Sequence, residues 1–528
     1  MTYWEKNLPD HLTIQKNKFG LPVFEPRPSN VAELLRQTVT RVPEETALVF
    51  QEKQMTYLEL WDQVCRVAFN LQNKYGIKKG EKVALLLGNG FLYPICFFAL
   101  AHIGAISVPL NVRLSPTEIE YEIVKSKARL LITEKEYWEG IYTKIQCMDQ
   151  LDEVFVSEKT TDLEKLFSEL TEPFVGDIDV PVIIDTEPCS IFFTSGTTGH
   201  PKGALLTHLG FVSTGMNFAV TYQLQPKDST LMMVPMFHIT GMLQFLGAIY
   251  TGIPVYILKS YQTETVLELL QRYKPTILVG VPTMYWFMLS SQKFRPEILS
   301  NVRAILYGGA PAPFDLIEKL RKIFPQMKIH NGYGLTEGHG LDTLLPDQDA
   351  LRKHDSVGLP VPLVEVKVVD ENGNGLPTNG IGELIIRGPK VISGYWENEE
   401  ASNKAIRNGW LYTGDVAKID DEGYVYILDR IKDMINRAGE KVYSIEVENV
   451  LYSFPKVLEA AVVGIPDKIF GEQIKAVIVL KPGMRSSSEE IRKYCLQKLA
   501  HFKVPKVIEF LDKLPRNPSG KVLKRQLV

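Results

Sequence analysis

The sequence predicts an α/β protein of two unequal parts. A large N-terminal domain carries parallel, helix-covered sheets and a small antiparallel barrel-like part. A small, mobile α+β domain follows at the C-terminus. Three observations lead there. The chain has 528 residues, 45% of them hydrophobic, too many for one ordinary core. Short β-rich runs alternate with helical ones over the first two thirds. The texture then changes twice, near Val357 and near Lys432.

The alternation is explicit. VALLLG from Val83 reads as a strand, FLYPICFFALAHIG as a helix and AISVPL as a strand again. The order returns in ILVGV, AILYGG and KIHNGYG, each separated from the next by a helical stretch. Such runs build βαβ units and a buried parallel sheet. Gly88-Asn89-Gly90 reads as an ordinary strand-to-helix turn, because it lacks the third glycine of a dinucleotide fingerprint. After Val357, VEVKVVD, the turn ENGNG and GELIIRG read as antiparallel hairpins. From Lys432 to Val528 there are 18 Lys plus Arg against 11 Asp plus Glu, a net of +7 in a chain whose total is −3. A small domain with a basic surface suits a lid that meets polyphosphate. The expected boundary puts residues 1–431 in the large domain and 432–528 in the small mobile one.

Composition excludes several classes. A net charge of −3 gives no global field for nucleic acid. Cys65, Cys96, Cys147, Cys189 and Cys495 are scattered without CxxC pairing, so they predict reduced core thiols in a cytoplasmic protein. Glu5, Lys6 and Asp10 stand where a signal peptide needs an apolar run. Two long uncharged stretches, from Val83 and from Leu231, are each broken by glycine and proline and read as strand, helix, strand instead of a membrane span. Peripheral membrane contact and a homodimer are left open; no amphipathic basic helix stands out.

The ten residues TSGTTGHPKG, Thr194 to Gly203, follow the apolar run SIFF. A strand ending in small hydroxylated residues and glycines offers N–H and O–H donors to an anion. Lys202 adds a point charge. The stretch predicts a phosphate cradle, and not the Walker loop, since Lys202 lies between Pro201 and Gly203.

The stretch resembles the signature loop of the adenylate-forming superfamily: acyl-CoA synthetases, stand-alone adenylation enzymes and beetle luciferases. The resemblance runs from TYLEL at Thr56 to PSGK at Pro518. It implies that a carboxylic acid attacks the α-phosphate of ATP, and that a thiol, usually coenzyme A, then displaces AMP. It also implies roles. Thr194, Ser195, Gly196, Thr197, Thr198, Gly199 and Lys202 would hold phosphate. Tyr307-Gly308-Gly309-Ala310-Pro311 resembles the adenine wall, with Gly309, Ala310 and Pro311 against the base. In Asn331-Gly332-Tyr333-Gly334-Leu335-Thr336-Glu337, Tyr333 would stack on the purine, Thr336 would reach the α-phosphate and Glu337 would help hold Mg2+. Asp415, in GWLYTGD, would clamp the ribose. Arg430 would contact ribose or phosphate, and Lys432 would be the pivot. Lys521 would bridge the α-phosphate and the substrate carboxylate. The loop Arg437-Ala438-Gly439-Glu440-Lys441 would face the thiol once the lid rotates; Ala438 and Ser444 stand where glycine and proline are commoner.

His238, in Pro235-Met236-Phe237-His238-Ile239-Thr240-Gly241, lies where the family meets its acid, as a gate or carboxylate-orienting residue. No carboxylate lies between Leu231 and Leu258, which disfavours an amino-acid substrate because its ammonium would be unpaired. Ile239, where aryl-acid relatives tend to carry Asn, lowers the case for a hydroxybenzoate. The order of motifs looks most like fatty-acid and related acyl-CoA ligases, and implies a medium- or long-chain fatty acid. A synthetase loading a carrier-protein thiol is the alternative. A non-catalytic nucleotide-binding protein is disfavoured, because Lys202, Thr336, Glu337, Asp415, Arg430 and Lys521 are all present.

Overall fold

The computed structural model describes residues 3–145, 148–158, 165–194, 201–310, 312–437, 440–516 and 522–528. Among these, two large sheets form the body. The first has seven strands, in the order Lys202–Thr207, Pro188–Thr194, Ile106–Pro109, Lys82–Leu86, Leu130–Thr133, Glu153–Val156 and Lys165–Leu166. The second has nine, running from Leu359–Pro360 through Thr343–Leu344, Lys328–Tyr333, Ala304–Gly308, Ile277–Gly280, Thr230–Met232, Val255–Ile257 and Thr46–Phe50 to Lys53–Thr56.

The βαβ reading holds at each place it was made. Lys82–Leu86 and Ile106–Pro109 pair in parallel around helix Leu92–His102. Thr230–Met232 and Val255–Ile257 do so around helix Ile239–Thr251. Ile277–Gly280, Ala304–Gly308 and Lys328–Tyr333 form a parallel run. The two uncharged stretches are therefore core, and among the described residues no helix is long and apolar enough to cross a membrane. Helix Leu92–His102 is buried almost all round, which explains a sequence with no polar face. Cys96 and Cys189 are buried free thiols, and Cys65 and Cys495 are also free. Cys147 lies outside the described residues.

After Val357 the sheet becomes antiparallel. Glu365–Val369, Gly382–Arg387 and Trp410–Ile419 pair in order, and Val425–Arg430 joins the last of them. Ile435–Arg437 belongs to another sheet, with Glu440–Val442, Gly471–Leu480, Val457–Asp467 and Val507–Phe510. The chain thus changes sheets between Arg430 and Ile435, and the residues beyond close their own apolar cluster around Ile435, Val447, Val462 and Ile478. A separate core is what lets a segment move as a unit.

Candidate functional site

Strand Pro188–Thr194 turns back as Lys202–Thr207, with Thr194 opposite Lys202 in an antiparallel register. The mouth of the predicted phosphate cradle is thereby fixed by sheet pairing. Ser195, Gly196, Thr197, Thr198 and Gly199 lie outside the described residues. At the mouth, Thr194 Oγ1 donates to Glu337 Oε1 at 3.2 Å, and the Tyr395 hydroxyl donates to the same oxygen at 2.9 Å. Lys202 Nζ lies over the Tyr395 ring, 5.5 Å from its centroid. Burial and the neighbouring Glu337 carboxylate push the Tyr395 phenol up, so it stays a donor at neutral pH. The hydroxyls of Thr194 and Tyr395 meet on the Glu337 carboxylate, and the Lys202 ammonium lies across the Tyr395 ring.

Glu337 sits on the short 3-10 turn Thr336–Gly338, just past strand Lys328–Tyr333. The Gly334 position admits no side chain, because a Cβ would run into the Gly340 carbonyl. The Glu337 carboxylate past the strand end is a hard oxygen ligand, and with phosphate oxygens and water it fits Mg2+, which rarely has an all-protein cage.

A second cluster forms around Asp415. Trp410–Ile419 pairs with Val425–Arg430 so that Asp415 stands directly opposite Arg430. Their charges meet at 2.6 Å, Arg430 Nε to Asp415 Oδ1. The Tyr333 hydroxyl donates to Asp415 Oδ2 at 2.5 Å. Burial opposes the charge on Arg430, but Asp415, Tyr333 and Glu337 together hold its pKa above the ordinary value. Burial and the Asp415 carboxylate push Tyr333 well up, so it too remains protonated. The Tyr333 ring that the sequence assigns to the purine is thus anchored by its hydroxyl to the residue assigned to the ribose. Asn331 donates to the Ser356 carbonyl at 2.9 Å, and Gly332 pairs with Gly308 in the sheet. Gly309 and Ala310 are exposed at the end of strand Ala304–Gly308, beside these residues; Pro311 lies outside the described ones.

His238 precedes helix Ile239–Thr251, with the Phe237 ring 4.8 Å away. Its Nε2 is buried and has no hydrogen-bond partner among the described residues. Burial, and then Arg113, bring its pKa down to about 4, so the ring is neutral at pH 7. A buried imidazole nitrogen with no protein partner can bond a polar ligand group or water.

At the domain junction Lys432 is exposed. Asp429, just before it, accepts from the Ser444 amide and, at 2.9 Å, from Ser444 Oγ. Proline at position 444 would supply neither donor. Lys524 Nζ reaches Ser444 Oγ at 2.6 Å and Glu448 at 2.7 Å. The tail that carries Lys521 is therefore tied to the junction; Lys521 itself lies outside the described residues, as do Ala438 and Gly439. Glu440 is exposed, and Lys441 pairs with Glu371 at 3.9 Å.

Sequence reasoning missed Tyr395, which lies far along the chain from both of its partners, Glu337 and Lys202. It also missed Asp342, Lys390 and His339, which are buried beneath the Thr336–Gly338 turn. Charged residues at no recognisable spacing give no signal until the fold brings them together.

Parallel sheets, an antiparallel subdomain and a small C-terminal domain with its own core are the architecture of adenylate-forming enzymes. The chain belongs to the AMP-binding enzyme family: residues 35–396 match that family, and residues 446–521 match the AMP-binding enzyme C-terminal domain. It is 35% identical over 486 residues to a feruloyl-CoA synthase of Amycolatopsis sp, covering 92% of this chain and 96% of that one. It is 34% identical over 503 residues to a long-chain-fatty-acid–CoA ligase of Mycobacterium tuberculosis, covering 94% and 98%. Among solved structures, o-succinylbenzoate coenzyme A synthetase from Bacillus subtilis, in complex with ATP and magnesium ion, superposes with a TM-score of 0.83 at 30% identity, over 94% of this chain and 98% of that one.

Proposed function

We propose that the protein is an AMP-forming acid–coenzyme A ligase, acting on an apolar organic acid with ATP and Mg2+. The observation that carries this reading is the convergence of Thr194, Lys202, Glu337 and Tyr395 beside the Tyr333–Asp415–Arg430 cluster. A carboxylate is a weak electrophile with a poor leaving group. Making its oxygen part of AMP solves both problems, provided that fixed donors and cations offset charge at the α-phosphorus.

In this reading Asp415 accepts from the ribose hydroxyls, and Tyr333 covers the base. Lys202, Arg430 and the Thr194–Gly203 loop hold the phosphates, while Thr336 donates to the α-phosphate. Glu337 holds Mg2+, which supplies positive charge to the phosphate oxygens when bound. Lys521 enters for adenylation and leaves for thiolysis. The residues from Arg437 to Lys441 then face the incoming coenzyme A thiol, with Gly439, Glu440 and Lys441 lining its path. Neutral His238 offers its unpartnered nitrogen toward the acid.

The acid is apolar because the segment around His238 is buried and uncharged. An aliphatic acid of medium or long chain is the expectation from the motif order. An aryl acid is the second reading, favoured by the feruloyl and succinylbenzoate relatives. The test is pyrophosphate release across acetate, medium- and long-chain fatty acids, ferulate, hydroxybenzoates and succinylbenzoate, with and without coenzyme A. Acid-dependent release with acyl-CoA formation supports the ligase. Release without transfer to free coenzyme A favours a carrier-protein thiol as acceptor.

A further inference from the structure

The turn that carries Thr336 and Glu337 is held from beneath by an ion pair with almost no contact with solvent. Asp342 is 0% exposed and Lys390 1%. Leu335 N–H donates to Asp342 Oδ2 at 3.3 Å. Lys390 Nζ donates to the Leu341 carbonyl and lies 3.8 Å from Asp342 Oδ1. Leu335 and Leu341 are the two ends of the loop 335–341. The carboxylate therefore grips one end, the ammonium grips the other, and their attraction closes the base of the loop.

Backbone contacts carry this staple up to the site. Asp342 N–H donates to the Tyr333 carbonyl at 2.8 Å, and Ile392 N–H donates to the Glu337 carbonyl at 3.0 Å. The Lys390 carbonyl meets His339 Nδ1. His339 Nε2 accepts from the Thr207 amide at 3.0 Å, so Nδ1 carries the proton. Burial brings the His339 pKa down to about 3 and keeps the ring neutral. The Asp342 carboxylate also fills the space that a Cβ on Gly338 would need.

Such a pair is costly. Burial raises the Asp342 pKa against the pull of Lys390, and it lowers that of Lys390 against the pull of Asp342. Asp342 Oδ1 has no hydrogen-bond partner among the described residues. Apolar residues of similar volume often fill such a site without loss of stability, so directed bonds to the loop ends are what the pair adds. We propose that Asp342 and Lys390 are positioning residues for adenylation: their staple sets the loop 335–341 so that Thr336 and Glu337 meet the polyphosphate and its metal. The proposal rests on the assignment of that turn to phosphate and Mg2+.

Calorimetric titration of the purified full-length chain with ATP plus MgCl2, and separately with adenosine, tests it. The chains compared are wild type, Asp342→Val with Lys390→Met, and Glu337→Ala. The double variant removes both charges together and strands neither. It is expected to bind Mg·ATP at least about ten-fold more weakly, the scale of a lost charge-assisted contact, and adenosine within about two-fold of wild type. Unchanged Mg·ATP binding, or equal loss for both ligands, would overturn the positioning role. If Glu337→Ala binds Mg·ATP as wild type does, the phosphate assignment of the turn fails and the proposal falls with it. Should the double variant not fold, Asp342→Asn with Lys390→Met, nearer in shape and likewise leaving no buried charge unpaired, decides by the same split between ligands.

Discussion

Replacing Asp415 with alanine separates recognition of the nucleoside from the chemistry at phosphorus. Asp415 is 2% exposed and sits between the Tyr333 hydroxyl at 2.5 Å and Arg430 Nε at 2.6 Å. Two costs follow. The first is structural: Arg430 loses its cross-strand partner. Its side chain is 31% exposed, so water takes up part of the charge, and the loss is about 1–3 kcal/mol, below that of breaking a fully buried pair. The second is in binding. Hydrogen bonds from the ribose to a carboxylate are worth about 1.5–3 kcal/mol, which weakens ATP by about ten- to hundred-fold. The ribose contact is held alike in ground and transition states, so its loss raises KM for ATP, and any fall in kcat reports the displacement of Arg430 from the phosphates. ATP-dependent pyrophosphate exchange at varied ATP gives both constants, and adenosine titration gives the ribose contribution without phosphate. A folded Asp415→Ala chain whose KM for ATP stays within two-fold of wild type would refute the ribose assignment.

Three further outcomes are expected. His238→Ala raises KM for the acid about ten-fold and leaves KM for ATP unchanged, because one hydrogen bond to the acid's charged carboxylate is lost; since burial holds this histidine at about 4, it contributes no inflection to the acid's kcat/KM between pH 5.5 and 8. Glu122, buried in helix Pro116–Ser126, has its pKa raised by burial to about 8. A raised folded-state pKa stabilises at low pH, and the contribution fades by about 1.4 kcal/mol per unit as pH climbs through the unfolded value toward 8; Glu122→Gln removes that slope from urea-unfolding free energies measured between pH 6 and 8. Lys521→Ala slows adenylation by about 10²–10³-fold and spares thiolysis of a supplied acyl-adenylate. Equal loss in both half-reactions would contradict domain alternation.

The parts legible in the sequence were those whose signal is local. A parallel strand buried on both faces must be a continuous apolar run, so VALLLG, ILVGV and AILYGG announced themselves. The change to antiparallel pairing showed in ENGNG, where turn residues separate two alternating runs. The motifs around Thr194, Glu337 and Asp415 were readable because each is contiguous. What escaped was long-range. Tyr395 joins the site through Glu337, 58 residues earlier, and Tyr333 reaches Asp415 across 82. Asp342 and Lys390 ran against expectation, since charged residues belong at the surface unless paired, and their pairing exists only in the folded chain. The Ser444 substitution was visible as a departure from a motif, but its use emerged only when both of its donors met Asp429.

The central claim is that a carboxylate oxygen of the acid attacks the α-phosphorus of ATP. Supplying an accepted acid with both carboxylate oxygens labelled as ¹⁸O, and weighing the products by mass spectrometry, tests it directly. The account predicts one labelled oxygen in AMP, none in pyrophosphate and one in the acyl-CoA. Label in pyrophosphate or phosphate, or unlabelled AMP alongside acyl-CoA, would contradict it.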